Sequence, residues 1–586
     1  MLTSRYLCAT LVHVRTFKTF AIWTLLAQFA QTVFIYFFIP ISESAVYGTN
    51  DDALIASISN GQLTGQPNGY LVFLNPLISF PISWLQQIIP NANVYIYFLT
   101  FVVTLCFSVI FGFINSEKNI HIKNKVILSI LWALSSITFT SWFALSPTYT
   151  GASLFGIATS ACFAYLFVSS TSKSKAYRDR FLLLFTFFLF ISIAIRLESI
   201  YILAFYLIIL FIQKNIRNRI ILKKFVVLTI ISLTIILLSV ITERLTYNNS
   251  EWKAYYETNQ LRHKIQLREP ERKLESLYSE VSWDKNTYDL FVRFILIDES
   301  KMNSQNLSKV LEITEENSAQ KFVQNFSFNQ LIENTKLAFA PWTWIVMLFG
   351  LSVLLTILNI FQKSKVLEYA FQVLFFFLGI PVLFLYLSSS YHLPERISVN
   401  LLGGLSLILV TLSAISFQNI KKPSVLISSL QILILLAGSF MYLNRFQIEL
   451  DARQDLYKTW RSIGAQQQQS LSSLPENTKV IGTASSIKSD WQNPYSLFKS
   501  LDQRNLTFVL GWHNLSPVWQ KGAQNIGLSP DNLFENLRSP NVLWATNKDD
   551  FQTIQEYFTI KLNKQITLED LGPIGYDQYH LYKVQE

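Results

Sequence analysis

The chain has 586 residues, of which 51% are hydrophobic and only 15% charged, with 47 phenylalanines. A soluble protein carries nearer a quarter charged residues because its surface must face water, so much of this surface faces something apolar. The net charge of +10 does not point to nucleic acid, since Lys and Arg sit in short clusters between apolar runs, the pattern that sets membrane orientation.

A bilayer crossing needs about 20 apolar residues, and the hydropathy pattern predicts about eleven. In chain order they fall near 18–41, 93–114, 126–145, 149–170, 181–195, 197–213, 225–242, 341–361, 368–388, 398–417 and 425–442. Residues 1–17 read as a short tail. The run from Phe181 to Ile212 is too long for one crossing, and Arg196 and Glu198 interrupt it, which predicts two short helices turning there. The loops 115–125, 171–180, 214–224, 362–367 and 418–424 then share a side with the N-terminus, and they carry the short basic clusters, Lys123, Arg180 and Lys224 among them. By the positive-inside rule that side is the cytoplasm. The expected location is a cell (plasma or inner) membrane, with segments 42–92, 243–340 and 443–586 outside. The fold class is mainly α: a polytopic helical module over 1–442 and a small extracytoplasmic α/β domain over 443–586.

In the first outer segment, Thr49 or Asn50 reads as the N-cap and Gly61 as the stop of a short helix that opens with Asp51 and Asp52. Two acids in a first turn suit the helix dipole and need no further role. They also suit sugar transfer, one carboxylate taking a proton from an acceptor hydroxyl while the other positions it or holds a divalent cation such as Mg or Mn. Glu43, at the outer end of the first crossing, adds a possible third carboxylate. A second helix follows Phe73-Leu74-Asn75-Pro76-Leu77-Ile78 and reads as lying along the interface with Trp84 as anchor.

Charges inside apolar helices are expensive and face a cavity, a partner or a substrate. Arg196 and Glu198 read either as a mutual ion pair or as a grip on a lipid phosphate through the Arg196 fork. The turn holding His392, Glu395 and Arg396 reads either as a hydrophilic connection or as part of the same outer site. Trp252, Tyr255, Tyr256, Arg262 and His263, and further on Trp512, His513 and Trp519, offer ring faces and polar groups to a sugar; packing is their default use. Toward the C-terminus Lys479–Ser485, Leu506–Gly511 and Val542–Thr546 read as strands and Asp549–Leu562 as an amphipathic helix. The hydrophilic regions hold no cysteine, the three being Cys8, Cys106 and Cys162, which excludes a disulfide framework there. No phosphate-cradling Gly-rich loop and no nucleophile elbow stands out.

A first crossing, an outer loop that opens with paired acids, two surface helices and a Pro-Leu entry together resemble the GT-C glycosyltransferases, the class of the protein O-mannosyltransferases and lipid A aminoarabinose transferases. The resemblance implies that Asp51 and Asp52 match the acidic pair at the catalytic centre, here Asp-Asp rather than Asp-Glu. Asn75-Pro76-Leu77 resembles the class's His-Pro-Pro-Leu. It also implies an inverting transfer of a hexosyl or pentosyl group from a polyprenyl-phosphate donor to a glycan or lipid acceptor. The other readings are a transporter or flippase of a lipid-linked saccharide and a non-catalytic membrane scaffold.

Overall fold

The computed structural model describes residues 2–39, 41–170, 175–211, 218–267, 281, 283–293, 295, 301–312, 395–418, 425–483, 486–496, 506–530, 533–563, 565 and 567–585. The predicted crossings 341–361 and 368–388 lie outside the described residues. Each of the other nine is helical: α1 (Leu2–Phe38), α5 (Val94–Ser116), α6 (Ile122–Leu145), α7 (Tyr149–Ser169), α8 (Lys175–Ile195), α9 (Ser199–Phe211), α10 (Arg219–Tyr247), α13 (Glu395–Phe417) and α14 (Val425–Ser472). Among the described residues six helices are long and apolar enough to cross a membrane, namely α5, α6, α7, α10 and the apolar parts of α1 and α13. The chain is a multi-pass membrane protein. Between α1 and α5 lie α2 (Ile41–Ser44), α3 (Asn50–Ser59) and α4 (Pro76–Ile88); after α10 come α11 (Lys253–Leu267) and α12 (Lys285–Val292).

Two helices outrun their predicted ends. Residues 1–17 are not a loose tail, since α1 is helical from Leu2, and α14 continues 30 residues past 442 to Ser472. No Pro interrupts either stretch, so the helix persists after the hydropathy falls.

Helix α7 is the hub of the bundle, enclosed along its whole apolar window. Small residues allow its neighbours this close: a Cβ added at Gly156 would lie 2.1 Å from Ser192 Oγ on α8, and one at Gly404 of α13 would lie 2.9 Å from Ala158 Cβ. α1 is tied to α5 and α6 by polar groups in the apolar interior. Gln31 Nε2 donates to Ser108 Oγ (2.7 Å) and to the Thr104 carbonyl (3.2 Å), and Ser136 donates to Gln31 Oε1 (2.8 Å). The basic loops gather at one end, where Tyr177 bonds Glu117, Lys125 reaches the Asn115 carbonyl and Lys224 caps α7 through the Phe167 and Val168 carbonyls.

At the other end sits a five-stranded sheet in the order β2-β1-β3-β5-β4. β1 (Lys479–Thr483), β2 (Leu506–Leu510) and β3 (Val542–Asn547) are parallel, and β4 (Thr567–Ile574) and β5 (Tyr576–Gln585) form an antiparallel hairpin added at β3. β1 and β3 are enclosed over nearly their whole length, as a covered parallel sheet requires. Helices α15 (Pro517–Asn525), α16 (Leu533–Asn536) and α17 (Lys548–Leu562) complete this part. α12 packs here too: Trp283, Leu290 and Phe291 share a core with Trp544, Tyr557 and Phe558, and Arg293 pairs with Asp550.

The sheet is seated on the first outer segment. Tyr47 N donates to the Asp490 carbonyl (2.9 Å), Asn93 Nδ2 to the Pro494 carbonyl (2.9 Å), and the Thr100 and Tyr495 hydroxyls meet at 3.0 Å. A Cβ at Gly522 on α15 would press Leu63 at 3.0 Å. The surface helix α4 leaves Trp84 61% exposed beside exposed Phe80, Ile88 and Ile89, the face of an interfacial helix.

Candidate active site

α3 starts where its sequence says it should. Thr49 is the N-cap, its Oγ1 accepting from Asp52 N at 3.1 Å, and Gly61 supplies the positive φ of +87° that turns the chain after Ser59. The strand leading in runs along the turn before α7: Val46 N bonds the Leu145 carbonyl and Gly48 N the Pro147 carbonyl. Gly48 has to be glycine, because a Cβ there would lie 2.0 Å from Thr148 Cγ2. This close approach brings the first turn of α3 against the N-terminus of α7.

The two acids then separate. Asp52 is fully enclosed. Its Oδ1 accepts from the Tyr95 hydroxyl at 2.7 Å and from Tyr149 N at 2.9 Å, and its Oδ2 accepts from the Thr49 hydroxyl at 2.7 Å. The carboxylate thus lies in the first turn of its own helix and across the N-terminus of α7, two positive dipole ends. Asp51 is only half-buried, and Arg262 of α11 is in electrostatic contact with it.

Arg196 and Glu198 sit in the break between α8 and α9, at the same end. Arg196 Nη1 donates to Thr150 Oγ1 at 2.5 Å, its Nε lies 3.5 Å from Glu198 Oε2, and its guanidinium stands 5.6 Å from the Tyr149 ring centroid. The ion pair is therefore present, with Glu198 mostly exposed. The Tyr149–Thr150 step joins both sites, its backbone N–H on Asp52 and its side chains on Arg196.

A row of rings continues from there. Tyr149 stacks on Phe73 (6.0 Å, 8°), and Phe73 meets Trp512 at 4.5 Å and 60°. Trp512 belongs to the loop after β2, and the Tyr255 hydroxyl holds its carbonyl at 2.9 Å. Tyr255 and Arg262 lie about two turns of helix apart on α11 and interact; burial pushes the Arg262 guanidinium below its ordinary value, while Tyr255 and then Asp51 hold it up. His513 is enclosed beside Arg262, and burial, with that positive charge second, pushes it down to about 3, so it is neutral near pH 7. His263 on the outer side of α11 feels Glu198, Arg196 and Arg262. Behind this row, Tyr70 stacks on Trp252 at 4.7 Å, and Tyr256 donates to Glu243 at 2.5 Å.

The remaining predicted site residues have other neighbours. Asn75 caps α4 through Leu77 N and ties it to α10 by two 2.8 Å bonds to Ser239. Glu43 is exposed and faces Arg461 of α14. His392 lies outside the described residues; Glu395 and Arg396 open α13, and their side chains lie outside them too. Among the described residues no three of His, Cys, Asp and Glu gather so as to hold a metal ion. The site also contains residues the sequence did not single out, Tyr95, Thr150 and Phe73. A tyrosine or threonine at the end of an apolar run reads as interfacial belt, so no local signal marks them.

No family model matches the sequence, and no curated protein matches it. Among solved structures, the crystal structure of ArnT from Cupriavidus metallidurans bound to undecaprenyl phosphate is similar with a TM-score of 0.40 and 9% identity, over 96% of this chain and 97% of that one. The apo form of the same protein is similar with a TM-score of 0.38 and 10% identity, over 95% and 97%. Scores this low carry no conclusion about chemistry, which rests on the residues above.

Proposed function

We propose that this protein is a membrane glycosyltransferase that moves a sugar from a polyprenyl-phosphate donor to a hydroxyl acceptor on an extracytoplasmic glycan or lipid, with its N-terminus in the cytoplasm. The observation that carries the reading is that Asp51 interacts with Arg262, and Arg262 and Arg196 both with His263, at the end of the bundle remote from the basic loops, where α8 ends and the Tyr149, Phe73 and Trp512 rings pack. A lipid phosphate arriving at the membrane boundary meets a guanidinium there, and its sugar meets ring faces.

In this reading the chemistry is a single displacement. The acceptor oxygen attacks the anomeric carbon while Asp51 takes its proton. The bond from that carbon to the phosphate oxygen breaks, and the lipid phosphate leaves with the electron pair, its growing charge met by Arg196. The configuration at the anomeric carbon inverts. Asp52 orients this end of α3 and does not meet the substrate. No step is assigned to a divalent ion, although Asp51 would be the carboxylate through which one acted.

The test is discharge of radiolabelled polyprenyl-phosphate sugars by purified protein in liposomes, with and without a divalent chelator. Wild type should release sugar, and Asp51→Asn should fold yet be slower by about a hundredfold or more, the usual worth of a general base. A wild type that discharges no donor across hexoses and pentoses sinks the transferase reading, and a fully active Asp51→Asn sinks the assignment of the base.

A further inference from the structure

We infer that the C-terminal part of the chain supplies the donor-sugar binding group of the site, through the indole N–H of Trp512 assisted by the amide of Asn514; the inference rests on the transferase reading above. The loop Gly511–Ser516 is shaped from within. Gly511 N donates to Asn514 Oδ1 at 2.9 Å, Leu515 takes a positive φ of 68°, and Ser516 caps α15 through Trp519 N at 3.1 Å. The result is a tight turn that presses on the first outer segment, Gly511 facing Leu54 one turn along α3 from Asp51.

Two donors in this turn are enclosed and unanswered. Trp512 is 5% exposed and Asn514 1%, yet among the described residues neither Trp512 Nε1 nor Asn514 Nδ2 has a hydrogen-bond partner. Leaving a buried donor unsatisfied costs about 1–3 kcal/mol, and it is rarely left so without an ion, a water or a ligand to accept.

The position fits a sugar. If Arg196 holds the phosphate and Asp51 the acceptor, the transferred ring must lie between them. The rings Tyr149, Phe73 and Trp512 run in series from the Arg196 side to the Arg262 and Asp51 side. A pyranose or furanose seated beside Phe73, the partly exposed ring between the enclosed Tyr149 and Trp512, would present its apolar C–H side to that ring and a hydroxyl oxygen to the Trp512 N–H.

The test compares wild type with Trp512→Phe, which keeps an aromatic ring and removes the N–H, on the best donor and on its singly deoxygenated analogues. Trp512→Phe is expected to raise KM about tenfold, the worth of one hydrogen bond of about 1.4 kcal/mol, with kcat within about twofold. The penalty should vanish for one deoxy donor alone, a signature that loss of packing cannot produce. If Trp512→Phe fails to fold, a benzothienylalanine installed at position 512 replaces N–H by sulfur at constant shape. An unchanged KM, or a penalty equal across all deoxy donors, overturns the inference, leaves water as the acceptor and leaves the transferase reading standing. A wild type that discharges no donor overturns both.

Discussion

Replacing Asp52 by Ala removes one carboxylate and strands three donors at once: the Tyr95 hydroxyl, the Tyr149 backbone N–H and the Thr49 hydroxyl. Tyr95 is fully enclosed and Tyr149 is 8% exposed, so water does not readily replace the lost acceptor. Each stranded donor costs about 1–3 kcal/mol. The sum is trimmed because the three share one partner and because burying the carboxylate was itself costly. A net loss of about 3–5 kcal/mol follows for Asp52→Ala. Asp52→Asn behaves differently. Its oxygen can keep Tyr95 and Tyr149, and its amide can donate to Thr49 Oγ1, which has lone pairs to spare. The charge assistance is lost and the Thr49 hydroxyl proton loses its acceptor, together about 2–3 kcal/mol. Unfolding in mixed micelles, titrated with SDS, reads both values, and sugar discharge reads activity in the same preparations. Stability should fall in the order wild type, Asn, Ala, and Asp52→Asn should keep most of its activity. The reasoning is refuted if Ala lies within about 1 kcal/mol of wild type, or if Asp52→Asn is folded and as inactive as Asp51→Asn.

Two further predictions concern stability. Gln31→Leu breaks three bonds between α1 and its neighbours α5 and α6; at about 0.6 kcal/mol each and up to 1.7, it should cost about 1–3 kcal/mol in the same SDS titration, and an unchanged midpoint would mean that α1 is held by packing alone. His513 should impose an acid dependence. Its folded value of about 3 lies below its ordinary 6.5, so the unfolded chain binds a proton that the native one refuses between those limits. Its contribution is complete above pH 6.5 and falls away below it by up to about 1.4 kcal/mol per pH unit. Thermal unfolding of wild type and His513→Gln at pH 7 and pH 5 should show the wild type losing more on acidification, and equal losses would count against a neutral buried His513.

Much of the fold could be read from local chemistry. The crossings follow from hydropathy, the α8–α9 break from two charges in an apolar run, and the start and stop of α3 from Thr49 and Gly61. The ends of α1 and α14 could not be read the same way, because hydropathy reports where the apolar environment ends and not where the helix does. From 443 to 472 the chain turns polar, but its Gln, Arg, Leu and Ala still favour helix and the first proline comes only at Pro475. The β4–β5 hairpin escaped for another reason. Gly572, Pro573 and Gly575 fall within or between its strands, and the register shifts twice, which breaks the alternation that marks a strand. The candidate site was legible as a set of residue types and not as a set of contacts. Tyr95 and Tyr149 reach Asp52 across 43 and 97 positions, separations that leave no local trace.

The order of the two acids shows how a pattern can leave a choice open at short range. Successive residues on a helix point about 100° apart, so only one of Asp51 and Asp52 can face the bundle. Hydrophobicity does not choose between them, because Asp51 runs with Leu54 and Ile58 and Asp52 with Ile55 and Ala56. The structure encloses Asp52 together with Ile55, Ala56, Ile58 and Ser59, all at or below 1% exposure, and leaves Asp51, Leu54 and Ser57 partly covered. Size decides here, because α3 approaches the turn before α7 so closely that Gly48 admits no side chain. The short side chains of Asp52, Ala56 and Ser59 fit against backbone, where a leucine would hold the surfaces apart. The same fit consigns Asp52 to three fixed hydrogen bonds. The carboxylate left on the looser face, Asp51, is then the one with room for a substrate to reach it.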